Sequence, residues 1–389
     1  MLNGSGNRMR FSIAVHMERR SPDESMEQQA EQVLEVAQFA DKAGFDIVWA
    51  TEHHGQEYII GPNPLILLTH LGAHTRQIRL GTAVLVAPYW HPLRLAGEVG
   101  MTDLLTGGRL EIGIARGAFQ YEFDRMANGM PQEQGGSHLR EMIPVIKELW
   151  TGDYAHQGEN WQFPTATAVP KPLQKPYPPL WVAARGYDTF DFAVKNDLNV
   201  MSTPHRLPMS EVLILADRLQ VALTNNPGHD RPRFLVSRMT CVYDDPADWQ
   251  IPVEAMRKGV RVFMGLFNNS SGVVNGFPEP ITIAEQDARG DYRPEAMRKN
   301  MMFGTPDEVV AKLRQYEALG VDVFSYNAHF GLSHDMVMRS LELFASEVMP
   351  HFQDGPRATI TDAFTEEELQ ELQAADSEAL QRVQSGVLI

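Results

Sequence analysis

Three consecutive residues, Glu52, His53 and His54, are the strongest candidates for chemistry in this sequence. An imidazole with its ordinary pKa of ~6.5 takes up and releases a proton near neutral pH, which suits proton transfer at a bound cofactor. Imidazole also binds zinc, but neighbouring residues of an extended segment point in opposite directions, and no His-x-His pair accompanies His16. We therefore favour proton chemistry over metal-dependent hydrolysis and assign no metal ligands. The alternative for His54 is a structural hydrogen bond.

Two arginines beside small residues indicate a site for an anion such as a phosphate. Arg116 precedes Gly117, and Arg185 precedes Gly186 and Thr189. Guanidinium groups, small residues and the start of a helix together supply the donors that a phosphate needs. The alternative is that Arg116 only pairs with an acidic neighbour, because structural ion pairs are common.

Short runs rich in β-branched and aromatic residues alternate with longer segments of helical periodicity, which predicts a series of β–α units. The predicted strands are residues 11–15, 45–50, 78–87, 110–115, 180–184, 199–202, 234–243 and 321–326. Such a series predicts an α/β protein with a parallel sheet, and its number of units favours a closed (β/α)8 TIM barrel. A doubly wound sheet is the alternative, but no Gly-x-Gly-x-x-Gly follows the first strand.

In a barrel, the residues just beyond the C-terminal ends of the strands gather at one rim, where active sites form. The candidate histidines and arginines follow predicted strands, so we expect them to meet there. Other rim positions are Thr82, Ala83, Val84, His91, Asn327 and His329. Trp90, Phe119 and Trp161 are candidates to line a substrate site, with core packing as the alternative for each.

The remaining segments divide the chain into a leader, a barrel and a tail. Residues 1–10 are expected to form a flexible leader, and residues 11–353 carry the barrel. Insertions are predicted after strand four, where residues 151–179 suggest a hairpin, and after strand seven, where the stretch from Phe263 through Met302 shows no steady period. Residues 354–389 form an acidic helical extension, which we expect on the surface or at a subunit contact.

The composition argues against several classes of protein. The 389 residues include 34 Lys and Arg against 50 Asp and Glu, and the net charge of −16 opposes binding to nucleic acid or to an anionic membrane. Cys241 is the only cysteine, so no intrachain disulfide can form. No apolar run reaches the ~18 residues of a membrane span, and the first residues do not resemble a secretory signal. We therefore expect a cytoplasmic protein.

The segment from Trp49 to Gly117 carries a family resemblance. It includes WATEHHG and IRLGTAVLVAPYWHPLRLAGEVGMTDLLTGGRLEIGIARG, and it resembles the catalytic subunit of bacterial luciferase and its flavin-dependent monooxygenase relatives. The similarity continues in FGTPDEVVAKLRQYEALGVDVF and SLELFASEVMP, so it spans nearly all of Phe11 to Phe352. Each motif is weak alone, and their order over several strands makes the resemblance specific.

The resemblance implies a luciferase-like barrel that binds FMNH2 supplied by a separate flavin reductase. The reduced flavin would react with O2 to give a C4a-hydroperoxide, which oxygenates a small organic substrate such as an aldehyde, a ketone or a ring compound. His53 falls on the family's catalytic histidine, which stabilises and protonates the peroxyflavin, and His54 is the adjacent member of the catalytic pair. A homodimer or a higher homo-oligomer is also expected.

The same resemblance implies a set of flavin-binding residues. Arg116 and Arg140 fall on arginines that reach the flavin phosphate, and residues 183–189 fall on a loop that cradles flavin and phosphate. Ala83 and Val84 fall on a strand bulge with a non-proline cis peptide. The implied cofactor-binding residues are Thr82, Ala83, Val84, Arg116, Ala118, Arg140, Ala183, Ala184, Arg185, Gly186 and Thr189. Residues 265–304 correspond to a mobile loop that shields the site from water.

Two departures from luciferase bear on this interpretation. Ala115 replaces a reactive cysteine, which excludes thiol chemistry there, and Arg185-Gly186 replaces a Glu-Ser pair in the phosphate loop. The predicted function is a two-component, FMNH2-dependent monooxygenase. An F420-dependent oxidoreductase of the same barrel family is the alternative enzyme, and a non-catalytic flavin-binding partner subunit is the alternative outside catalysis. The presence of His53 argues against the partner subunit.

Overall fold

The computed structural model describes residues 8–269, 272–328 and 330–385. The strands are β1 (Arg10–Val15), β2 (Ile47–Ala50), β3 (Arg79–Val86), β4 (Leu110–Ala115), β5 (Tyr154–Gln157), β6 (Gln162–Ala166), β7 (Leu180–Ala183), β8 (Asn199–Ser202), β9 (Phe234–Val242), β10 (Val273–Val274), β11 (Phe277–Pro278), β12 (Met302–Gly304) and β13 (Val323–Asn327). Arg10, placed in the leader by the sequence pattern, is the first residue of β1, and residues 1–7 lie outside the described part of the chain.

Helices follow each of the barrel strands and form the outer layer, and further helices lie in the segment 265–304 and in the C-terminal extension. They are α1 (Met26–Ala43), α2 (Pro64–His74), α3 (Pro92–Leu105), α4 (Gln120–Met126), α5 (Gly135–Thr151), α6 (Tyr187–Lys195), α7 (Met209–Asn225), α8 (Gln250–Phe267), α9 (Ile283–Asp287), α10 (Pro294–Asn300), α11 (Pro306–Ala318), α12 (His334–Leu343), α13 (Ile360–Ala363), α14 (Glu366–Ala375) and α15 (Ser377–Ser385). Polar caps define several starts, since side-chain oxygens of Ser25, Asn63 and Ser333 accept backbone N–H bonds.

The sheet closes into a barrel of parallel strands. Its order is β9-β13-β1-β2-β3-β4-β7-β8, and β8 pairs with β9 to close the ring, while β12 adds to the far part of β9. The predicted TIM barrel is confirmed. The doubly wound alternative is wrong, because an open sheet has two unpaired edges and this ring has none.

Large side chains fill the barrel interior. Trp49 and Trp181 meet edge to face with ring centroids 5.4 Å apart, and both are fully buried. Leu235 and Val323 pack beside them. This packed interior leaves space for ligands only at the ends of the barrel, which is why the rim residues can form a site.

The insertions differ in detail from the sequence pattern. The hairpin after strand four is present as β5 and β6, whereas the short helix α4 before it carries no clear periodic signal and is absent from the prediction. The segment 265–304 contains the end of α8, a β10–β11 hairpin, α9, α10 and β12. Residues 270 and 271 of that segment lie outside the described residues, and its mobility stays a prediction.

The C-terminal extension packs against the barrel. The pattern predicts one helix over 365–385, but the chain breaks at Asp376 between α14 and α15. Apolar side chains of the extension join the main core, namely Ile360, Phe364, Leu372, Ala379, Leu380 and Val383. Arg382 of α15 also pairs with the buried Asp217 of α7, with Nε 2.6 Å from Oδ1. The extension therefore packs on the outer helical layer of the barrel, and its role in a subunit contact stays a prediction.

None of the helices in the described ranges combines the length and the apolar character that crossing a bilayer requires.

Candidate active site

Two adjoining cavities lie at the C-terminal ends of the barrel strands. The outer cavity, of about 800 Å³, is bounded by the loops after β4, β7 and β8. The inner cavity, of about 330 Å³, is bounded by residues that follow β1 and β2 and by α8. Both are lined by Thr51, His53, Ala83, Val84, Ala183, Met201, Ser202, Thr203 and His205. A ligand in one cavity therefore shares a wall with a ligand in the other.

His53 lies on this shared wall and is held by Glu122 of α4. The Nδ1 atom of His53 is 3.0 Å from Oε1 of Glu122, whose side chain is buried. Burial alone would raise the pKa of Glu122, but the charge and hydrogen bond of His53, with donors from the His54 backbone and Gln56, lower the pKa below its usual value. Glu122 is therefore an anion that accepts the Nδ1 proton, so Nε2 is the ring nitrogen left for a ligand.

His54 faces a different carboxylate. Its Nε2 atom is 2.8 Å from Oε1 of Glu52, which also accepts bonds from the indole of Trp90 and from the backbone N–H of Val86. Glu52 is buried, and His54 does not line either cavity. The structure therefore places His54 and Trp90 in a network that supports the end of β3, and we leave His54 out of the proposed catalytic group.

The end of β3 carries the predicted irregularity. The peptide between Ala83 and Val84 is cis, and the pairing of β3 with β4 shifts register between Thr82 and Leu85. Ala83 and Val84 line both cavities with small side chains. Thr82 is buried and exchanges hydrogen bonds with the backbone of Gly113, so it does not reach the cavity as predicted.

The outer cavity contains two arginines without carboxylate partners among the described residues. Arg116 makes no hydrogen bond or ion pair there, and Arg140 makes only a long contact of 3.5 Å with the Gly136 carbonyl. Two glycines bring them together, because Gly117 has φ +91° and a Cβ on Gly135 would lie 2.1 Å from the Arg116 carbonyl oxygen. Two exposed cations in a strongly acidic protein mark a place for an anion.

The start of α6 completes this side of the outer cavity. Gly186 is the N-cap and supplies no side-chain acceptor, so the first N–H groups of the helix are left for a ligand. Gly186 and Thr189 line the cavity, as do Ala118, Ala184 and Arg185. The guanidinium of Arg185 pairs with Glu211 at 3.0 Å, which makes it the least available of the three predicted arginines. The carboxylates that line the outer cavity, among the described residues, are Glu52, Glu122, Glu133 and Asp188.

The inner cavity is mostly aromatic and aliphatic. Phe119, Phe263 and Phe330 line it, with Tyr58 and the barrel tryptophan Trp49. Glu18 contributes a buried carboxylate that pairs with Arg20. Burial raises the pKa of Glu18 to about 7 in spite of the Arg20 charge. This cavity can hold a small planar molecule next to His53.

His205 stands between the two cavities as a neutral imidazole. Burial and the nearby charges of Arg185, Arg206 and Arg238 lower the pKa of His205 to about 4. The residue has φ +50°, and its carbonyl accepts a 2.6 Å bond from Arg238. At neutral pH it can therefore exchange hydrogen bonds with a ligand but carries no charge.

The structure brings together most of the residues predicted to form the site. His53, Ala83, Val84, Arg116, Ala118, Arg140, Ala183, Ala184, Arg185, Gly186 and Thr189 line the outer cavity. Of the aromatic candidates, Phe119 lines the inner cavity, while Trp161 packs on His138. Asn327 also lines the inner cavity, His91 caps α3, and His329 lies outside the described residues. Glu122, His205 and Glu18 were not predicted, and the only available signal was a carboxylate or an imidazole shortly after a strand.

No group of three or more His, Cys, Asp or Glu residues forms a potential metal site within the described ranges. His53 and His54 bond to separate carboxylates, so they do not converge on one point.

The closed barrel and the two adjoining cavities, with His53 on their shared wall, are the architecture of an enzyme of the α/β-barrel class. The sequence profile of the luciferase-like monooxygenases matches residues 9–323, and the chain belongs to this family. The oxygenase component of a flavin-dependent trigonelline monooxygenase from Acinetobacter baylyi is 43% identical over 346 residues, which are 89% of this chain and 96% of that protein. The prediction of a flavin-dependent monooxygenase is confirmed.

Solved structures agree on the fold. A monooxygenase from Streptomyces bottropensis superposes with a TM-score of 0.74 at 24% identity, covering 88% of this chain and all 100% of that one. The oxygenating constituent of 3,6-diketocamphane monooxygenase from Pseudomonas putida, solved in complex with FMN, has a TM-score of 0.72 at 20% identity, over 90% of this chain and 100% of that one.

Proposed function

We propose that the protein is the oxygenase component of a two-component system that uses FMNH2 from a separate reductase to insert one atom of O2 into a small ring compound. The observation that carries the proposal is that Arg116 and Arg140, which have no carboxylate partner among the described residues, line the same cavity as Ala83, Val84 and His53. Reduced FMN, when bound, supplies the electrons that activate O2.

The outer cavity fits FMN in size and in chemistry. Its volume of about 800 Å³ is within the usual range for a cofactor site. Arg116, Arg140 and the first N–H groups of α6 would hold the phosphate, since they are donors in one cavity and the two arginines have no carboxylate partner among the described residues. Ala83 and Val84 would let the backbone of β3 approach a planar ring.

His53 is the residue that we assign to proton transfer. Glu122 fixes the tautomer with a proton on Nδ1, so Nε2 can accept or return a proton at the wall between the cavities. Phe119 packs against the imidazole with centroids 5.2 Å apart and helps to exclude water. The group is held by a buried anion and an aromatic ring, which orients it before a ligand arrives.

The inner cavity would take the organic substrate. A volume of about 330 Å³ limits the substrate to a small molecule, and the aromatic lining suits a flat ring. The relative from Acinetobacter baylyi is named for trigonelline, a methylated pyridine carboxylate, so trigonelline is the first substrate to test.

A homodimer is the proposed assembly, with a flavin reductase as a transient partner. Large apolar side chains are exposed on α3 and on the segment that packs against it, namely Met101, Leu104, Leu105, Val169 and Leu173. Such a patch on a protein surface commonly marks a contact between chains.

Turnover with a generic flavin reductase, NADH, FMN and trigonelline under ¹⁸O2 tests the function. We expect one ¹⁸O atom in the product and O2 uptake that matches product formation. Riboflavin in place of FMN is the matched control and should support much less turnover, because it lacks the phosphate. Substrate oxidation with F420 and without ¹⁸O incorporation would instead establish the alternative enzyme.

A further inference from the structure

Glu18 gives the inner cavity a negative pole. It is the one carboxylate among the described residues that line this cavity, and its side chain is 7% exposed. Arg20 bonds to Oε2, while Oε1 has no hydrogen-bond partner in the described part of the chain. The raised pKa of Glu18 reflects burial, so a carboxylate here is poorly solvated and would gain from a nearby cation.

Aromatic rings form a continuous wall between Glu18 and His53. Phe119 contacts His53, and Phe263 contacts Phe119 edge to face with centroids 5.9 Å apart. Tyr58 follows at 6.4 Å from Phe263, and the Glu18 charge helps to raise the pKa of the Tyr58 hydroxyl, after burial. A row of ring faces next to a carboxylate is the arrangement by which proteins bind cations that carry no N–H donor.

The positive groups of the same cavity are mostly engaged by other residues. Arg206 pairs with Asp291 and stacks over Tyr292 at 4.3 Å. Arg238 donates to the carbonyls of His205 and Leu207 and to Tyr316. Its Nη2 atom has no hydrogen-bond partner among the described residues and is left to bind an anionic substituent of a ligand.

We propose that the inner cavity selects a planar ring that carries a permanent positive charge, and that Glu18 is the specificity-determining residue. The ring stacks on the wall of Phe263 and Tyr58, and its charge faces Glu18. This inference rests on the proposed function, since it names the substrate class of the same site.

A pair of ligands that differ only in charge tests the inference. 1-Methylnicotinamide is a cation, and 3-methylbenzamide is its neutral isostere with carbon in place of the ring nitrogen. Calorimetric titration of the full-length protein, with and without FMN, should show about tenfold tighter binding of the cation. Glu18→Gln should abolish most of this preference. Glu57→Gln should keep it, because Glu57 pairs with Arg19 and does not line the cavity.

Equal affinity of the wild-type protein for the two ligands would overturn the inference, as would an unchanged preference in Glu18→Gln. If circular dichroism shows that Glu18→Gln is unfolded, Phe263→Leu decides. It should weaken binding of the cation by several-fold more than that of the neutral ligand, and equal losses would contradict the ring–cation contact. Turnover of neutral rings by FMNH2 and O2 would leave the proposed function intact, whereas absence of any FMNH2-dependent turnover would refute that function independently of these affinities.

Discussion

The outer and inner cavities adjoin one another but are built in different ways. The outer one has the larger share of polar lining, and its donors come from the loop after β4, from α5 and from the start of α6. The inner one is smaller and mostly aromatic, with Glu18 as its carboxylate. The hydrogen-bond donors of the outer cavity suit an anion, whereas the inner cavity presents the faces of aromatic rings and a carboxylate. In the proposed function, the outer cavity binds the cofactor and the inner cavity selects the substrate.

The largest expected effect is on product formation, after replacement of His53 on the wall that the two cavities share. His53→Asn keeps a donor near the position of Nδ1 for Glu122 but removes the group that transfers a proton. We expect product formation to fall by about 10²-fold or more, while O2 consumption continues and appears as hydrogen peroxide. Product yield and peroxide are measured per NADH oxidised.

His54→Ala is the matched control for this substitution. It removes the neighbouring imidazole, which bonds to Glu52 and lies outside both cavities. We expect a lower melting temperature with product still coupled to NADH. If His54→Ala uncouples product formation from NADH oxidation and His53→Asn does not, our proposal has assigned proton transfer to the wrong histidine.

An intermediate effect should distinguish the outer cavity from the inner one. Arg116→Ala should weaken FMN binding by about tenfold, since a charged hydrogen bond at an exposed site is lost. Riboflavin binding should change little, because riboflavin has no phosphate. Arg125→Ala, which removes an arginine that stacks on Tyr121 outside the cavities, should affect neither ligand. Equal weakening of FMN and riboflavin would mean that Arg116 supports the fold instead of the phosphate.

The smallest expected effect is on the free energy of unfolding of the protein, through the protonation of Glu18 in the inner cavity. Burial raises the pKa of Glu18 to about 7 in the folded protein. At a pH between the ordinary carboxyl pKa and 7, Glu18 is therefore protonated in the folded protein but ionised in the unfolded chain. Stability of the wild type should therefore fall over this range as the pH rises, and Glu18→Gln should remove that loss. We expect the free energy of unfolding in urea, taken as Glu18→Gln minus wild type, to increase by roughly 2 kcal/mol from pH 5 to pH 8. The raised pKa of Glu18 would be contradicted if the difference in free energy of unfolding between Glu18→Gln and the wild type did not change with pH, or if Glu57→Gln showed the same change.

The sequence was informative in two ways. The alternation of β and α segments predicted the barrel from local periodicity, and the position of Arg116 directly after a predicted strand indicated an anion site. The cis peptide at Ala83 and Val84 and the role of Arg140 were implied only by the family resemblance, because no local pattern marks them.

The inner cavity could not be predicted for the opposite reason. Glu18, Tyr58 and Phe263 lie on three segments far apart in the sequence, and only closure of the barrel brings them together. Glu122 was missed because α4 is short and its apolar residues follow no helical period over enough length to be recognised. The role of His54 required knowledge of its partner, Glu52, since adjacent histidines look equivalent in a sequence.

The C-terminal helices have a consequence for how the chain matures on the ribosome. Asp217 on α7 is synthesised 165 residues before its partner, Arg382 on α15. Until the C-terminal helices have been made, that carboxylate and the apolar sides of α7 and α11 face solvent and any chaperone present. The barrel ring can close once β13 has been made, but its outer helical layer is complete on this side only after α15 has been made. A message truncated near residue 353 would therefore yield a closed ring with an uncovered flank, a natural target for quality control.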